Sequence, residues 1–431
     1  MKRFVLTGGL VVDGTGSPPI VGDVAVADGV IVAVGDVGGF AAEASTEVID
    51  VSGLVVTPGF IDIHTHYDAQ VLWDRDLTPS CWHGVTTVVM GNCGFGVAPT
   101  RPEHRETIVR TLENVEGMSA EALMAGIPWT FETFPEYLDT IAAAPVRLNV
   151  AAMIGHSPLR LYVMGDDVEE PATPEQVQRM HDLVDAALEA GAIGFATSRS
   201  ANHQGAWGRP VPSRGADNAE VLSIAAALTD RGTGIVQVTP GPGLGTAELA
   251  ELAITSRRPV TWTALLAGAG GRGRTKEILD RTEAMGGEVW PQAACRPVVM
   301  QVTLADPMVF SALPAFKEIL AVPTAQRAAL YADEEWRVRA RPQIATIWSQ
   351  RWPDVSVQET TANTHEIGRT VAEIAARDQI DPLDVLLDLS LADDLKTRFR
   401  VVLANGDEVE LAALLADPRA ILGLSDAGAH A

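Results

Sequence analysis

From residue 58 onward the chain alternates between short apolar runs and amphipathic stretches, and the runs number eight. They are Phe60–His66, Val85–Met90, Leu148–Gly155, Ala192–Thr197, Gly234–Thr239, Pro259–Ala264, Glu288–Ala293 and Ala420–Ser425. Most are nearly continuous in apolar residues, as strands covered on both faces must be. The clearest intervening helix opens with Thr173-Pro174-Glu175-Gln176, which offers an N-cap, a proline at the first helical position and a capping-box glutamine. Val177, Met180, Val184, Ala187 and Leu188 follow at helical spacing, and Gly191 ends the stretch. Eight such repeats predict an α/β fold of (β/α)8 barrel type, with an open doubly wound sheet as the alternative. Residues 1–57 are punctuated by Asp13-Gly14, Asp28-Gly29 and Gly38-Gly39 and read as a small β-sandwich-like module ahead of the barrel domain, residues 58–431. The stretch from about 295 to 419 exceeds one strand–helix connection and is expected to be a mostly helical insertion over the barrel mouth.

Composition narrows what such a barrel could serve. The chain has 431 residues, 47% of them hydrophobic, and a net charge of −24. That charge repels phosphate backbones, so no nucleic-acid partner is expected. No window approaches ~18 uninterrupted apolar residues, so no membrane span is expected. The first apolar run is broken by Gly8 and Gly9, unlike a signal peptide. Three cysteines (Cys81, Cys93, Cys295) do not make a disulfide framework, and a reducing, cytoplasmic setting is expected. A homo-oligomer is compatible with these features.

Barrels of this kind carry their chemistry at the C-terminal ends of the strands. Read in order, those ends hold His64 and His66, then Asn92 and Cys93, then His156, then Ser198 and Arg199 with His203 close behind. Strands five and six end with Gln237, Thr239, Thr261 and Thr263, strand seven with Gln292 and Cys295, and strand eight with Asp426. Residues two apart on a strand share a face, so His64 and His66 enter one cavity together, as metal ligands must. Two other stretches imitate known motifs. Gly268–Thr275 is nearly a phosphate-binding loop but has Arg274 in place of its lysine. Gly423-Leu424-Ser425-Asp426-Ala427 resembles a nucleophile elbow but lacks a following helix and a following acid–histidine pair.

The run Pro58-Gly59-Phe60-Ile61-Asp62-Ile63-His64-Thr65-His66, directly after an all-β module, resembles the first-strand signature of the amidohydrolase superfamily. Gly84–Gly94 narrows the resemblance to the N-acyl-D-amino-acid deacylase (D-aminoacylase) branch, and Glu132–Asp139, Ile154–Arg160 and Gly423–His430 extend it along the chain. The resemblance implies a TIM-type (β/α)8 barrel of the metal-dependent hydrolase class and hydrolysis of an N-acyl-D-amino acid, a small-molecule substrate, to a carboxylate and a D-amino acid. It implies His64, His66, Cys93 and Asp426 as ligands of zinc, one ion being expected, with Cys93 standing where other relatives use a carboxylated lysine. It further implies Asp426 as the catalytic proton shuttle. His156, Arg199 and His203, at the ends of strands three and four, are expected to bind substrate.

Two departures qualify that expectation. D-aminoacylases place a histidine at the end of strand five and another at strand six, and neither is here. A catalytically degenerate binding or structural protein is therefore the second reading. A hydantoinase-like cyclic amidase is the third, disfavoured by the lack of a strand-end lysine. The sequence also stops at Ala431, directly after the eighth-strand motif, which suggests a truncated C-terminal end and an incomplete N-terminal module.

Overall fold

The computed structural model describes residues 3–41, 45–268, 271–310 and 313–430. Ala431 and residues 269–270 of the glycine-rich stretch lie outside them.

The eight expected runs form the barrel. Its strands are Phe60–Asp62 continued by His64–Thr65, Val85–Met90, Asn149–Gly155, Gly194–Ser198, Ile235–Thr239, Val260–Trp262, Val289–Ala293, and Ile421–Leu422 continued by Leu424–Ala427. Each pairs in parallel with its neighbour in sequence. The ring closes where His64 pairs with Leu424 and Thr65 with Ala427. Two backbone bonds reinforce this closure, Ile63 N–H to Gly423 O at 3.1 Å and His66 N–H to Ala427 O at 2.7 Å. The open-sheet alternative is thereby excluded.

The helices between strands form where the sequence places them. Pro174–Glu189 starts at the anticipated capping box: Thr173 Oγ1 accepts from Gln176 N–H, and Gln176 Oε1 accepts from Thr173 N–H. Its Met180, Val184, Ala187 and Leu188 enter the main core. On the outer wall beside strands one and eight, Phe60 and Leu422 are 61% and 46% exposed. A cleft of about 1030 Å³ runs along that wall.

The N-terminal module is one sheet, not a sandwich. Its order is Val30–Gly35, Ile20–Ala27, Arg3–Val11, Glu47–Asp50, with Val55–Val56 also paired to Arg3–Val11. Asp28-Gly29 turns the hairpin between Ile20–Ala27 and Val30–Gly35 with both residues at positive φ, the backbone such a tight turn demands. Only Val5, Ala25 and Val37 form a buried cluster within it.

The segment after strand seven is more than helical. Val298–Val302, Arg398–Ala404 and Val355–Glu359 make an antiparallel sheet, with Arg398–Ala404 in the middle. Helices Pro314–Leu320 through Pro382–Ala392 pack on it around a second core that includes Phe316, Trp336 and Leu387. Helix Glu408–Leu415, which the sequence reading placed inside this insertion, belongs to the barrel, because Leu411 and Leu414 pack in the main core. Among the described residues, no helix is long and apolar enough to cross a membrane.

Candidate metal centre

The end of strand two is built around glycine. Gly91 has φ +81°, and a Cβ there would stand 2.0 Å from Met153 O. Gly94 has φ +71° and sits against Thr197 Cα. This close approach turns the chain inward, and Cys93 follows with φ +56°. Asp426 at the end of strand eight has φ +57°. Non-glycine residues held in the left-handed region concentrate at functional sites.

These turns bring four donors together. Cys93 Sγ lies 3.4 Å from His64 Nε2. Asp426 Oδ1 lies 3.4 Å from His64 Nε2 and 3.6 Å from His66 Nε2. His64, His66 and Cys93 are buried and their ligand atoms lie within 4.8 Å of one another. Ligand atoms held ~2.0–2.3 Å from a tetrahedral zinc stand ~3.3–3.8 Å apart, so this spacing suits one ion.

The surroundings prepare these donors. His64 Nδ1 is 2.6 Å from Gln292 Oε1 and 2.9 Å from Thr263 Oγ1. A carbonyl oxygen only accepts, so Nδ1 carries the hydrogen and the Nε2 lone pair faces Cys93 and Asp426. Burial, then the neighbouring His66, lower the pKa of His64 to about 4, so its ring is neutral at neutral pH, as a ligand requires. Burial pulls His66 down, but Glu116 and Asp426 outweigh it and raise His66 well above its ordinary value. Burial pushes the Cys93 thiol up, against the opposing pull of His66. Burial also acts to raise Asp426, but its hydrogen bond to His66 and the field of both imidazoles prevail and hold it far below the usual carboxylate range.

Strands five and six supply support instead of imidazoles. Gln237 Oε1 accepts from Cys93 N–H at 2.7 Å, and its amide N–H donates to Thr263 Oγ1 at 3.3 Å. Neutral amide and hydroxyl groups are poor zinc ligands, and here they hold Cys93 and His64 in place.

The other expected site residues divide. His203 stands beside the centre. Its Nδ1 is 2.7 Å from Ser198 Oγ, its ring packs on Phe95, and burial together with His66 lowers its pKa to about 4. Arg199 Nη1 is buried without a hydrogen-bond partner. Burial lowers the Arg199 pKa despite Asp217 and Glu220 nearby.

His156, also expected at the site, is engaged with the scaffold. Its ring is fully buried, with Nδ1 2.8 Å from Thr197 Oγ1 and Nε2 2.9 Å from Glu220 Oε1. Both nitrogens are occupied by protein groups, which tie this residue to the scaffold. Cys295, placed by the sequence at the end of strand seven, is exposed.

Two residues escaped the strand-end survey. Glu116 closes helix Arg105–Glu116 and points its Oε2 to within 3.5 Å of His66 Nε2. Burial raises its pKa to about 7, against the lowering effect of His66. Asp68 is buried nearby, and desolvation raises it to about 6. Glu116 had a sequence signal, since it lies four residues beyond Leu112 and eight beyond Ile108 on the helix's buried stripe.

The profile of the amidohydrolase family matches residues 47–383. A D-aminoacylase of Alcaligenes xylosoxydans xylosoxydans is 42% identical over 194 residues, which are 45% of this chain and 37% of that protein. A solved D-aminoacylase structure, from work on its binuclear metal centre with one-metal activation and second-metal attenuation, superposes with a TM-score of 0.62 at 28% identity, covering 97% of this chain and 75% of its own. The N-acyl-D-glutamate deacylase from Bordetella bronchiseptica, complexed with zinc and a phosphonate mimic of the tetrahedral intermediate, gives a TM-score of 0.63 at 25% identity, with 98% and 76% covered. The closed barrel, the paired histidines of strand one and these similarities lead to one assignment: the chain belongs to the amidohydrolase family, and within it is similar to the deacylases of N-acyl-D-amino acids.

Proposed function

We propose that this protein is a zinc-dependent hydrolase of N-acyl-D-amino acids, releasing a carboxylate and a D-amino acid at a one-metal centre. The observation that carries the reading is the convergence of His64, His66 and Cys93, with Asp426 against both histidines. Imidazole and thiolate suit zinc better than magnesium or calcium. When bound, zinc would act as a Lewis acid toward the amide carbonyl and acidify a water beside it.

The remaining work falls to side chains. Asp426 is ionised and, at 35% exposure, opens toward the mouth, so it can take a proton from the attacking water at Oδ1. It then returns that proton to the nitrogen as the C–N bond breaks, since an amine anion is a poor leaving group. Arg199 has an unpartnered guanidinium nitrogen with which to hold the substrate carboxylate. His203, neutral and fixed by Ser198, can orient the acyl oxygen.

The test is zinc content after dialysis, followed by turnover of paired N-acyl-D- and N-acyl-L-amino acids. One retained zinc with turnover of the D series is expected. Protein without zinc, or a preference for the L series, overturns the reading. Asp426→Asn is expected to keep most of the zinc and lose ~10²–10⁴-fold in kcat.

A second reading, a binding protein on a degenerate hydrolase scaffold, is favoured by Gln237 and Thr263 standing inward on strands five and six. Retained zinc without turnover on either series would select it.

A further inference from the structure

Strand five ends in a hydroxyl with nothing to bond. Thr239 is 8% exposed, and its Oγ1 is buried without a hydrogen-bond partner. Its backbone is engaged, since Thr239 O accepts from Arg199 N–H at 2.9 Å. Buried hydroxyls in native folds are normally paired, so an unpaired one calls for a partner from outside the chain. The direction of this one follows from its strand. Residues two apart share a face, and Gln237 points inward, to the N–H of Cys93. Thr239 therefore faces the same interior, nearer the mouth. The alternate residues Val236 and Val238 join the core formed with helix residues such as Leu228 and Leu249.

The neighbours of Thr239 are those of the metal centre. Strand five packs against the Asn92–Gly94 turn that carries Cys93. Burial raises the Cys93 thiol, and Thr239 stands close enough to be, with His66, among the groups that oppose the rise. On the next strand Thr239 is in register with Ser198, whose Oγ is 2.7 Å from His203 Nδ1. The hydroxyl thus has the thiol of the ion cluster on one side and the residue that fixes His203 on the other. Amide hydrolysis puts negative charge on the carbonyl oxygen as water adds to the carbon. At the one-metal centre proposed above, with no imidazole on strands five and six, neutral donors are what those strands can offer that oxygen. We propose that Thr239 is a catalytic residue whose hydroxyl, together with His203, donates to the scissile carbonyl oxygen as that oxygen gains charge. The hydroxyl keeps its hydrogen throughout; it stabilises charge and transfers no proton. This inference rests on the hydrolase reading above.

The test uses the full, zinc-loaded chain and N-acetyl-D-amino acids. Thr239→Val keeps the shape and removes the donor. Its kcat is expected to fall ~10²–10³-fold, with KM little changed and zinc content unchanged. Its affinity for a phosphonate analogue of the tetrahedral intermediate is expected to fall by the same factor as kcat/KM, and its affinity for the D-amino acid product to hold. Thr239→Ser retains a hydroxyl and is expected to recover most of kcat. Thr261→Val makes the same change on strand six, at an equally buried and unpartnered hydroxyl in register with Gln237, and is expected to match wild type. Wild-type turnover in Thr239→Val, Thr239→Ser as slow as Thr239→Val, or zinc lost from Thr239→Val along with activity overturns the assignment and leaves the hydrolase reading intact. An equal loss in Thr261→Val does the same, since it would mark a general cost of removing a buried hydroxyl. Wild-type protein that hydrolyses no N-acyl amino acid overturns both.

Discussion

His64 is useful to a metal only because Gln292 decides which of its nitrogens carries the hydrogen. Replacing Gln292 with Leu removes that acceptor and leaves the ring free to turn or change tautomer. Zinc affinity is expected to fall ~10–100-fold, as for other residues that orient a ligand from behind, and competition titration would read it. An unchanged affinity would show that Thr263 alone suffices. The two strand-one histidines were legible in the sequence because a period of two is a geometric statement about faces. Gln292 was visible as a strand end, but its partner lies 228 residues away and no spacing rule reaches that far. The contacts of His156 were hidden for a related reason. It does follow a strand, yet it also begins helix His156–Met164, and the first turn of that helix directs it at Glu220.

At the level of elements, that same histidine ties three pieces of the barrel. Glu220, on helix Asn218–Arg231, receives His156 and Arg160 from helix His156–Met164, with Arg160 Nη1 at 2.6 Å, while His156 also reaches Thr197 on strand four. Burial lowers the pKa of His156 below 6.5. The unfolded chain therefore binds a proton that the folded one refuses, and stability falls as pH drops below about 6.5. Burial acts to raise Glu220, but His156 and Arg160 outweigh it and lower the pKa below 4.5. The stability it contributes is present above that value and is lost as pH falls through the folded pKa. Both signs agree, so the urea midpoint is expected to decline from pH 7 to pH 4. Glu220→Gln is expected to cost ~3–5 kcal/mol at pH 7, by leaving Arg160 buried without its charge partner, and to flatten the acid limb. A midpoint insensitive to pH in wild type would contradict this. The barrel strands were legible as elements because each is a short apolar run bounded by turn residues. The insertion's sheet was not. Its central strand Arg398–Ala404 pairs with one segment about a hundred residues upstream and with another about forty residues upstream, through a proline-broken stretch whose helices dominate the local pattern.

At the scale of the whole molecule, the barrel is a ring whose first and last strands meet in a thin seam. Strands one and eight share two residue pairs, as do strands seven and eight. The candidate ligands straddle this joint, with His64 and His66 on one side and Asp426 on the other. A bound ion would stabilise the folded ring by mass action, by ~2.7 kcal/mol at a free concentration 100 times Kd. Chelation is therefore expected to lower Tm and to speed hydrogen exchange first at the amides of Ile63 and His66, which bond across the joint. Uniform exchange around the ring after chelation would refute a local role for the seam. The closure of this barrel thus has a consequence for the protein's lifetime. A ring fastened at one joint by an exchangeable ion opens there when the ion is scarce, and an opened strand is what proteases cleave. Zinc supply would then set how many copies of the molecule persist, and not only how many of them are active.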